Sequence, residues 1–423
     1  MKKIISLLIC CVLFLTVFAG CGKKKNETGS VYYLNFKPEQ DAAWQALAAK
    51  YTEETGVPVK VVTASQGTYE QTLTAEIDKS TPPTLFQISG EIGLNTWQDY
   101  CLDLSDSEVY KQLTSDDFAL KKDGKVYGVA YVYEGFGLIV NKDLLKKAGY
   151  TIDSLKSFDD IKKVAEDITR RKAELGFSAF ASSGLDSSSS WRYSGHLANI
   201  PLYYEFKADN ITSQPATIKG THLDVYKNWW DLYTNNSTVD KSTLTAVTGD
   251  QAVSEFVTGK AVFYQNGTWA YEDVKAIGDD NLGFIPLYAG VDDANQGICA
   301  GTENYWAVNS KASDADKKAT LDFLEWIVTS NTGTTALAES MEFISPFKMA
   351  KKVDNVLCNI MNDYVADGKK NIDWVFNYTP NVDVWRSDVT SALAAYSAGK
   401  GDWNAVKDAF VNGWEKQYKA SQS

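Results

Sequence analysis

The spacing of hydrophobic residues along the chain changes repeatedly between two periods, one typical of strands and one typical of helices. A short β-rich run such as residues 31–36 is followed by a stretch in which Trp44, Leu47 and Tyr51 recur at helical spacing, until Gly56 ends it. Further runs of both kinds follow in turn. This alternation of strands and helices predicts an α/β fold with mostly parallel sheets.

The first series of elements is a strand, a helix, a strand, a helix and a strand, with the later strands expected at residues 57–62 and 84–88. Such a β-α-β-α-β series is typical of a doubly wound unit, whose ligands bind beyond the carboxyl ends of its strands. Amphipathic helices are predicted at residues 158–171 and 319–328. The serine-rich segment 181–190, ASSGLDSSSS, predicts a loop.

The N-terminal residues have the pattern of an export signal. A basic segment, residues 1–3, precedes an apolar run over residues 4–18 that is too short to span a bilayer comfortably. The following V-F-A-G-C resembles a bacterial lipoprotein signal, which implies removal of residues 1–20 and a lipid on Cys21. An ordinary secretory signal with an incidental cysteine is the alternative. The polar segment 21–30 predicts a flexible tether, and the chain is expected on the outer face of the bacterial cytoplasmic membrane.

Composition narrows the class of protein. The chain has 423 residues, 44% of them hydrophobic, which is enough for two or three domains and excludes a disordered chain. Lys and Arg number 42 against 54 Asp and Glu, giving a net charge of −12. Because such a surface repels phosphate backbones, nucleic acid is not expected as a partner.

The few cysteines and histidines argue against metal and nucleophilic chemistry. Beyond the signal segment, Cys101, Cys299 and Cys358 form an odd set without metal-ligand spacing, so three buried thiols are favoured over one disulfide. His196 and His222 lie in no metal-binding pattern. We therefore expect no metal, no cofactor and a structural role for each histidine.

Four local patterns follow one another along the chain. The first is W-x-x-L-x-x-x-Y-x-x-x-T-G-V-x-V at residues 44–59, and the second is GKVYGVAYVYEGFGLIVNKDLLKKAGY at residues 124–150. The third is FVTGKAVFYQNGTWAYEDV at residues 256–274, and the fourth is LGFIPLY followed by GICAGTENYWAVN within residues 282–309. Together they resemble the family 1 extracellular solute-binding proteins of ABC importers, the maltose-binding-protein-like sugar receptors. Ala130 departs from the family, which often has Pro there.

This resemblance implies two doubly wound α/β lobes joined by crossing hinge segments, a type II periplasmic binding protein-like fold with a ligand cleft between the lobes. Three crossings are expected, near residues 131–136, 286–290 and 344–347. The first lobe would comprise residues 31–132 and 287–345, and the second lobe residues 133–286 and 346–423.

Sugar recognition needs carboxylates and amides for the hydroxyl groups and flat aromatic rings for the C–H faces. The chain has 12 Trp and 23 Tyr, more than a core alone requires. Candidate sugar-binding residues in the first third of the chain follow predicted strands or lie at the first crossing: Glu39, Gln66, Tyr69, Glu91, Tyr133 and Glu134. The later candidates lie in or directly after the serine-rich loop, within the last two patterns, or after the third crossing: Asp186, Trp191, Arg192, Asn266, Trp269, Glu303, Trp385 and Arg386.

Some of these candidates have a clearer expected role than others. Trp269 is the strongest, because the third pattern implies that it stands at the head of a helix facing the cleft, where its ring would stack on a sugar. Arg192 is expected either to contact two adjacent hydroxyls or to pair with a carboxylate. Trp385 is expected either to stack on the ligand or to pack the final helices.

The function implied by the resemblance is that of the binding component of an ABC transporter. It would capture a neutral di- or oligosaccharide and deliver it, as a monomer, to a membrane permease. A phosphorylated ligand is disfavoured because only Lys37 and Arg192 stand at strand ends to receive one. Two alternatives stay open. One is a lipid-anchored glycoside hydrolase, which would use the same carboxylates for catalysis, and the other is a sugar-sensing or adhesive surface protein without an importer.

Overall fold

The structure, a computed structural model, describes residues 28–65 and 68–422. Its strands are β1 Val31–Asn35, β2 Val59–Thr63, β3 Leu85–Ser89, β4 Ala119–Lys122, β5 Lys125–Ala130, β6 Glu134–Asn141, β7 Ser178–Phe180, β8 Ala261–Gly267, β9 Leu282–Ile285, β10 Gln296–Gly301, β11 Asn304–Val308 and β12 Lys370–Ile372. Its helices are α1 Asp41–Thr55, α2 Tyr69–Ile77, α3 Gly90–Trp97, α4 Glu108–Lys111, α5 Lys142–Lys147, α6 Phe158–Arg170, α7 Lys172–Leu175, α8 Ala198–Asp209, α9 Leu223–Asn235, α10 Gly249–Val257, α11 Tyr271–Val274, α12 Asp314–Thr329, α13 Asn331–Thr335, α14 Val356–Ala366, α15 Val382–Ser397 and α16 Trp403–Ser421.

The first sheet has the strand order β2-β1-β3-β11-β5-β4 and carries helices on both faces. The apolar stripe of α1 that the sequence predicted, Trp44, Leu47 and Tyr51, packs into a core with Trp306 of β11 and Phe323 of α12. Helices α2 and α3 cover the opposite face. This part of the molecule forms the first lobe.

The second sheet has the order β12-β10-β6-β8-β7, with β9 pairing beside β10 on the same edge of β6. Strand β6 is antiparallel to β8, β9 and β10, whereas the β7–β8 and β10–β12 pairs are parallel. Both sheets are therefore mixed, and the expectation of mostly parallel sheets is corrected. The physical reason is that strands entering a sheet from the other lobe, such as β6 and β11, run against their neighbours.

The lobes are joined where the chain passes between the sheets. The first passage lies at residues 131–133, between β5 and β6, within the expected crossing. The second lies at Thr302–Glu303 rather than at 286–290, because β10 still belongs to the second sheet and β11 to the first. Residues 287–301 thus belong to the second lobe, which corrects the expected boundary.

The third passage also lies later than the expected residues 344–347. Phe347 packs in the first core, and the Lys351 ammonium donates to Asn331 in α13 at 2.7 Å. Asn355, by contrast, donates to the backbone oxygen of Thr268 in the second lobe at 3.1 Å. The chain therefore crosses between Lys351 and Asn355, which corrects the position of this crossing.

Local chemistry sets the helix ends. The Ser157 hydroxyl accepts from the Asp160 N–H at 3.2 Å to begin α6, and Gly56 ends α1 in the left-handed region with φ 75°. Cys101, Cys299 and Cys358 are buried free thiols, as favoured from the sequence. Within the described part of the chain, no helix combines the length and the apolar character needed to cross a membrane.

Candidate functional site

A cavity of about 360 Å³ lies between the two lobes. The first lobe contributes Glu70 at the start of α2 and residues within 89–96, at the end of β3 and along α3. The second lobe contributes residues within 376–386, and Glu303 of the second crossing completes the wall. The cavity is within the size range of small-molecule sites, and each lobe supplies part of its lining.

Glu303 and Arg386 face each other in this cavity. The Nη2 atom of Arg386 lies 3.9 Å from the Oε1 atom of Glu303, and its guanidinium group lies 5.5 Å from the ring centroid of Phe376. Burial raises the pKa of the Glu303 carboxyl, while Arg386 and Lys37 oppose that rise. Charge-assisted hydrogen bonds are shorter than this separation. Arg386 and Glu303 therefore do not use up each other's hydrogen-bonding capacity, and both can bond to a ligand.

A buried ion pair forms the floor of the cleft. The Lys37 ammonium lies 2.9 Å from Glu134 Oε1 and 3.3 Å from Glu39 Oε1, and Lys37 and Glu134 are each 7% exposed. Burial raises the pKa of Glu134, and Lys37 acts against that rise. Burial alone would lower the pKa of Lys37, but the two carboxylates reverse this and raise it. Lys37 comes from the loop after β1 and Glu134 begins β6, so this pair ties the first lobe to the crossing.

Trp269 stands at the same floor on the side of the second lobe. It lies in a 3-10 turn, Thr268–Ala270, directly after β8, and its ring centroid is 5.9 Å from the Lys37 ammonium. The ring folds back over Gly267, where an added Cβ would come within 2.2 Å of the ring, so the turn requires glycine there. Trp191 and His196 pack against Trp269 at centroid distances of 6.1 and 5.3 Å. The indole is therefore held in place by other aromatic rings while staying partly exposed.

The structure brings several predicted residues together at this cleft. Glu303 and Arg386 line the cavity, whereas Tyr133, Glu134 and Trp269 line a separate recess. Glu39 pairs with Lys37, and Trp191 packs against Trp269. Tyr133 and Glu134 line a small recess beside Trp269, and the Tyr133 hydroxyl accepts from Asn371 at 3.0 Å. Their contact with a ligand stays a prediction.

Tyr69 and Trp385 are core residues, which corrects the expectation that they contact a ligand. The Tyr69 hydroxyl accepts from the Gln87 N–H at 2.6 Å, and the residue is 5% exposed. The Trp385 indole N–H donates to the Phe410 carbonyl at 3.0 Å, and its ring packs against Phe410. No face of the Trp385 ring is open to a sugar, so the alternative expectation, packing of the final helices, is confirmed.

Arg192 and Asn266 are also buried in the second lobe, and their expected ligand roles are corrected. Arg192 donates to the Gln265 carbonyl at 3.1 Å and to the Ser189 hydroxyl at 2.6 Å, so carbonyl and hydroxyl oxygens rather than the expected carboxylate accept from it. Asn266 donates to the Tyr264 hydroxyl at 2.6 Å. Local partners thus use the polar atoms that a ligand would need.

The remaining candidates lie elsewhere. The Asp186 carboxylate accepts from the Ser188 hydroxyl at 2.8 and 3.0 Å within the serine-rich loop, a local contact that organises the turn before the next helix. Glu91 is exposed on α3, although its neighbour on that helix, Ile92, lines the cavity. Gln66 and Cys21 lie outside the described residues.

The cavity also has polar lining residues that the sequence analysis did not single out, among them Asn377 and Asp383. Asp383 precedes Arg386 by three positions in α15, and residues at that spacing share a helix face. Because Arg386 was already a candidate, its helical spacing from Asp383 could have identified Asp383 as a second residue of the cavity. Asn377 donates to the Thr302 carbonyl at 2.9 Å, a contact between the second lobe and the crossing that no local pattern indicates.

The described residues offer little to a metal ion. Among residues 28–65 and 68–422, no group of three or more His, Cys, Asp or Glu side chains is arranged to hold one. His196 stacks on Phe136 at 4.2 Å, and burial lowers its pKa, so the imidazole is neutral. It supports the aromatic cluster behind Trp269.

Because Trp385 is buried in the core, a substitution there should change the stability of the protein but not its affinity for a ligand. We expect Trp385→Phe to lower the free energy of unfolding by about 1–2 kcal/mol, because it removes the indole bond to Phe410 and leaves a small void. Ligand affinity should be unchanged, since the ring does not face the cavity. Urea denaturation and calorimetric titration of the same variant measure the two quantities. A large loss of affinity with unchanged stability would return Trp385 to the site.

A model of the family described as bacterial extracellular solute-binding protein matches residues 46–359. The maltodextrin-binding protein MdxE of Bacillus subtilis (strain 168) is 28% identical over 162 residues, which are 36% of this chain and 37% of that protein. The aligned segment therefore spans little more than a third of that relative.

Solved structures match the chain over nearly its whole length. A family 1 extracellular solute-binding protein from Bifidobacterium longum subsp. infantis has a TM-score of 0.63 at 21% identity, covering 92% of this chain and 99% of that one. The GacH receptor of Streptomyces glaucescens GLA.O has a TM-score of 0.72 at 21% identity, covering 93% of this chain and 99% of the other. At these identities the likeness establishes the fold.

Proposed function

The chain belongs to the bacterial extracellular solute-binding proteins, and we propose that it captures a neutral di- or oligosaccharide between its lobes for delivery to an ABC permease. As a member of this family it is a binding protein rather than an enzyme, as the sequence predicted. The observation that carries the proposal is the cavity between the lobes, whose walls combine Glu303, Arg386 and Phe376. The names of similar proteins support it, since one binds maltodextrin and another was solved with acarbose.

The chemistry of the cleft suits a carbohydrate. Carboxylates such as Glu70 and Glu303 accept from hydroxyl groups, and Arg386 donates to them. The partly exposed ring of Trp269 offers a flat face for sugar C–H groups. Carboxylates outnumber cations among the residues lining the cavity, so a phosphorylated or acidic sugar would be repelled.

Binding would act through closure of the lobes. The open and closed forms differ by a few kcal/mol, and a ligand that contacts both lobes shifts the population toward the closed form. Glu70 and residues of α3 would contact the ligand from one side and Arg386 from the other, while Glu303 lies on the crossing itself. A micromolar affinity corresponds to about −8 kcal/mol, which a handful of hydrogen bonds and one stacked ring supply.

The proposal includes a lipid on Cys21 and a tether over residues 21–30, which would hold a monomer at the outer face of the membrane beside its permease. Metabolic labelling with a radioactive fatty acid tests this part separately. We expect label in the wild-type protein and none after Cys21→Ala. Equal labelling of both would place the fatty acid on another residue, and a wild-type protein without label would contradict the anchor.

A thermal-shift screen tests the ligand class. Maltotriose, raffinose, a chitin trisaccharide and a xylan trisaccharide serve as probes, and glucose 6-phosphate as a charged comparison. A probe at about 100 times its Kd stabilises the folded chain by about 2.7 kcal/mol, which raises Tm by several degrees. We expect such a rise with at least one neutral probe and none with the phosphate. A shift with glucose 6-phosphate alone would contradict a neutral ligand.

The same mixtures separate binding from hydrolysis. A solute-binding protein leaves the probe intact, so reducing ends should not increase after prolonged incubation. Accumulating reducing ends, abolished by Glu303→Gln, would instead support the glycosidase alternative, which needs a carboxyl with a raised pKa next to the scissile bond.

A further inference from the structure

The helix that leads into α8 begins with an uncommon turn beside the cavity. Residues Arg192–Leu197 form a π-helical segment, and Ala198 continues the chain directly into α8. Such segments are rare and are frequent at functional sites. Pro201 of α8 has no N–H to donate to the carbonyl group of Leu197, so the regular α-helical bond at the end of the segment cannot form. The sequence therefore favours a departure from the α-helix at this place.

Gly195 lies in the π-helical segment, and the Arg386 guanidinium lies directly against it. A Cβ atom added to Gly195 would be 3.0 Å from the Nη2 atom, 3.1 Å from the Nε atom and 3.2 Å from the Cζ atom of Arg386. Ordinary contacts of a Cβ atom are 3.4–4 Å long, so a side chain here would push the guanidinium away. Gly195 is buried, and the guanidinium occupies the space that its side chain would need.

The position of the guanidinium decides which groups it can reach in the cavity. Its Nη2 atom is 3.9 Å from Glu303 Oε1, and its Cζ atom is 5.5 Å from the ring centroid of Phe376. Arg386, Glu303 and Phe376 all line the cavity, whereas Gly195 does not. Any influence of Gly195 on a ligand in the cavity therefore acts through Arg386.

The same segment also supports the tryptophan of the recess. His196, the residue after Gly195, packs against Trp269 at a centroid distance of 5.3 Å. Trp191, the residue before the segment, packs against the same ring at 6.1 Å. One short helical segment thus contacts both the cation of the cavity and the exposed ring of the recess.

We propose that Gly195 is a positioning residue of the ligand site. Because it lacks a side chain, the π-helical segment holds the Arg386 guanidinium at a distance from Glu303 that leaves both groups free for a ligand hydroxyl. The inference rests on the proposed function for its effect on affinity, whereas its effect on Glu303 needs no ligand. The displaced group is the end of a long, flexible side chain, so Gly195→Ala should move Arg386 and leave the fold intact.

NMR titration of the sugar-free protein, labelled with carbon-13 at the glutamate carboxyl groups, tests the position of Arg386 directly. Burial raises the pKa of Glu303, and Arg386 opposes that rise, so moving the guanidinium away should raise this pKa further. We expect a higher pKa of Glu303 in Gly195→Ala than in the wild type, and one at least as high in Arg386→Ala. Adding Gly195→Ala to Arg386→Ala should change nothing. The signal that is missing in Glu303→Gln identifies the residue.

Calorimetric titration with the trisaccharide that gives the largest thermal shift measures the consequence for binding. We expect Gly195→Ala to weaken binding about threefold to tenfold, the usual effect of losing one hydrogen bond. In the Arg386→Ala background it should cause no further loss, because the two residues act as one unit.

Gly413→Ala is the matched control. It also replaces a glycine inside a helix, α16, but its added Cβ would make only ordinary contacts, the nearest at 3.6 Å from the Trp385 ring. Gly413 does not line the cavity, so this variant should bind the trisaccharide as the wild type does. It shows how much of any change comes from the alanine itself.

Urea denaturation separates a positioning role from a structural one. The midpoint of Gly195→Ala should not fall below that of the wild type, because alanine favours a helix and the guanidinium can move. An unfolded or strongly destabilised variant would overturn the inference. So would an unchanged pKa of Glu303, an unchanged affinity, or an equal loss of affinity in the Arg386→Ala background. If no trisaccharide binds to the wild type, the proposed function fails, and the NMR titration still decides whether Gly195 positions Arg386.

Discussion

Replacement of Lys37 by Met is expected to lower the free energy of unfolding by about 3–5 kcal/mol. The reason is that Glu134, 7% exposed, would be left as a buried carboxylate without its cation. Glu39 does not compensate, because it carries the same charge as Glu134. Urea denaturation at pH 8 measures the loss. A change below 1 kcal/mol would mean that water reaches Glu134 freely and that the floor of the cleft is not dry.

The pH dependence of the stability of Lys37→Met tests whether the unpaired Glu134 carboxylate causes the loss. Burial already raises the pKa of Glu134, and without Lys37 nothing on the floor of the cleft opposes that rise. A carboxyl with a raised folded-state pKa loses stability as pH increases from its unfolded value toward its folded value. Lys37→Met should therefore be more stable at pH 5 than at pH 8. The double variant Lys37→Met, Glu134→Gln is the control, since it removes both charges and should recover most of the stability at pH 8.

The sequence was sufficient for the helices and strands and for a two-lobed α/β fold, but not for the strand directions, because local periodicity and the order of motifs record only the former. The stripe of Trp44, Leu47 and Tyr51 was readable because core packing repeats at helical spacing. The second and third crossings were misplaced for a different reason. Whether a strand such as β10 pairs with β6 or returns to the other sheet depends on partners more than a hundred residues away in the sequence, which no local pattern records.

The candidate site was only partly predictable for a related reason. Glu303 was a candidate because it follows a glycine, and Trp269 because the third pattern implies a position at the head of a helix facing the cleft. Trp385 was a candidate as well, but the helix α16 covers its ring, and that contact depends on tertiary packing. Arg192 was misassigned because an arginine beside a serine-rich loop can satisfy its guanidinium with carbonyl oxygens as well as with a ligand.

Replacement of Trp269 by Ala is expected to weaken oligosaccharide binding by roughly 1–3 kcal/mol, about fivefold to 150-fold in Kd. The ring stands at the floor of the cleft, 5.9 Å from the Lys37 ammonium, and its loss removes the flat face on which a sugar would stack. Trp191 and His196 hold the ring in one orientation, so the free protein does not have to order it on binding. Calorimetric titration with the probe that gives the largest thermal shift measures the change.

Trp326→Ala is the matched control for this experiment. Trp326 lies on α12 of the first lobe, where its indole N–H donates to Glu54 at 3.0 Å and its ring packs against Tyr51, away from the residues that line the cavity. It should lower stability without changing the affinity for the sugar. Trp269→Tyr should retain part of the affinity, because a smaller ring still offers a stacking face. If Trp269→Ala binds as tightly as the wild type, the stacking platform lies elsewhere, and Phe376 in the wall of the cavity becomes the residue to test.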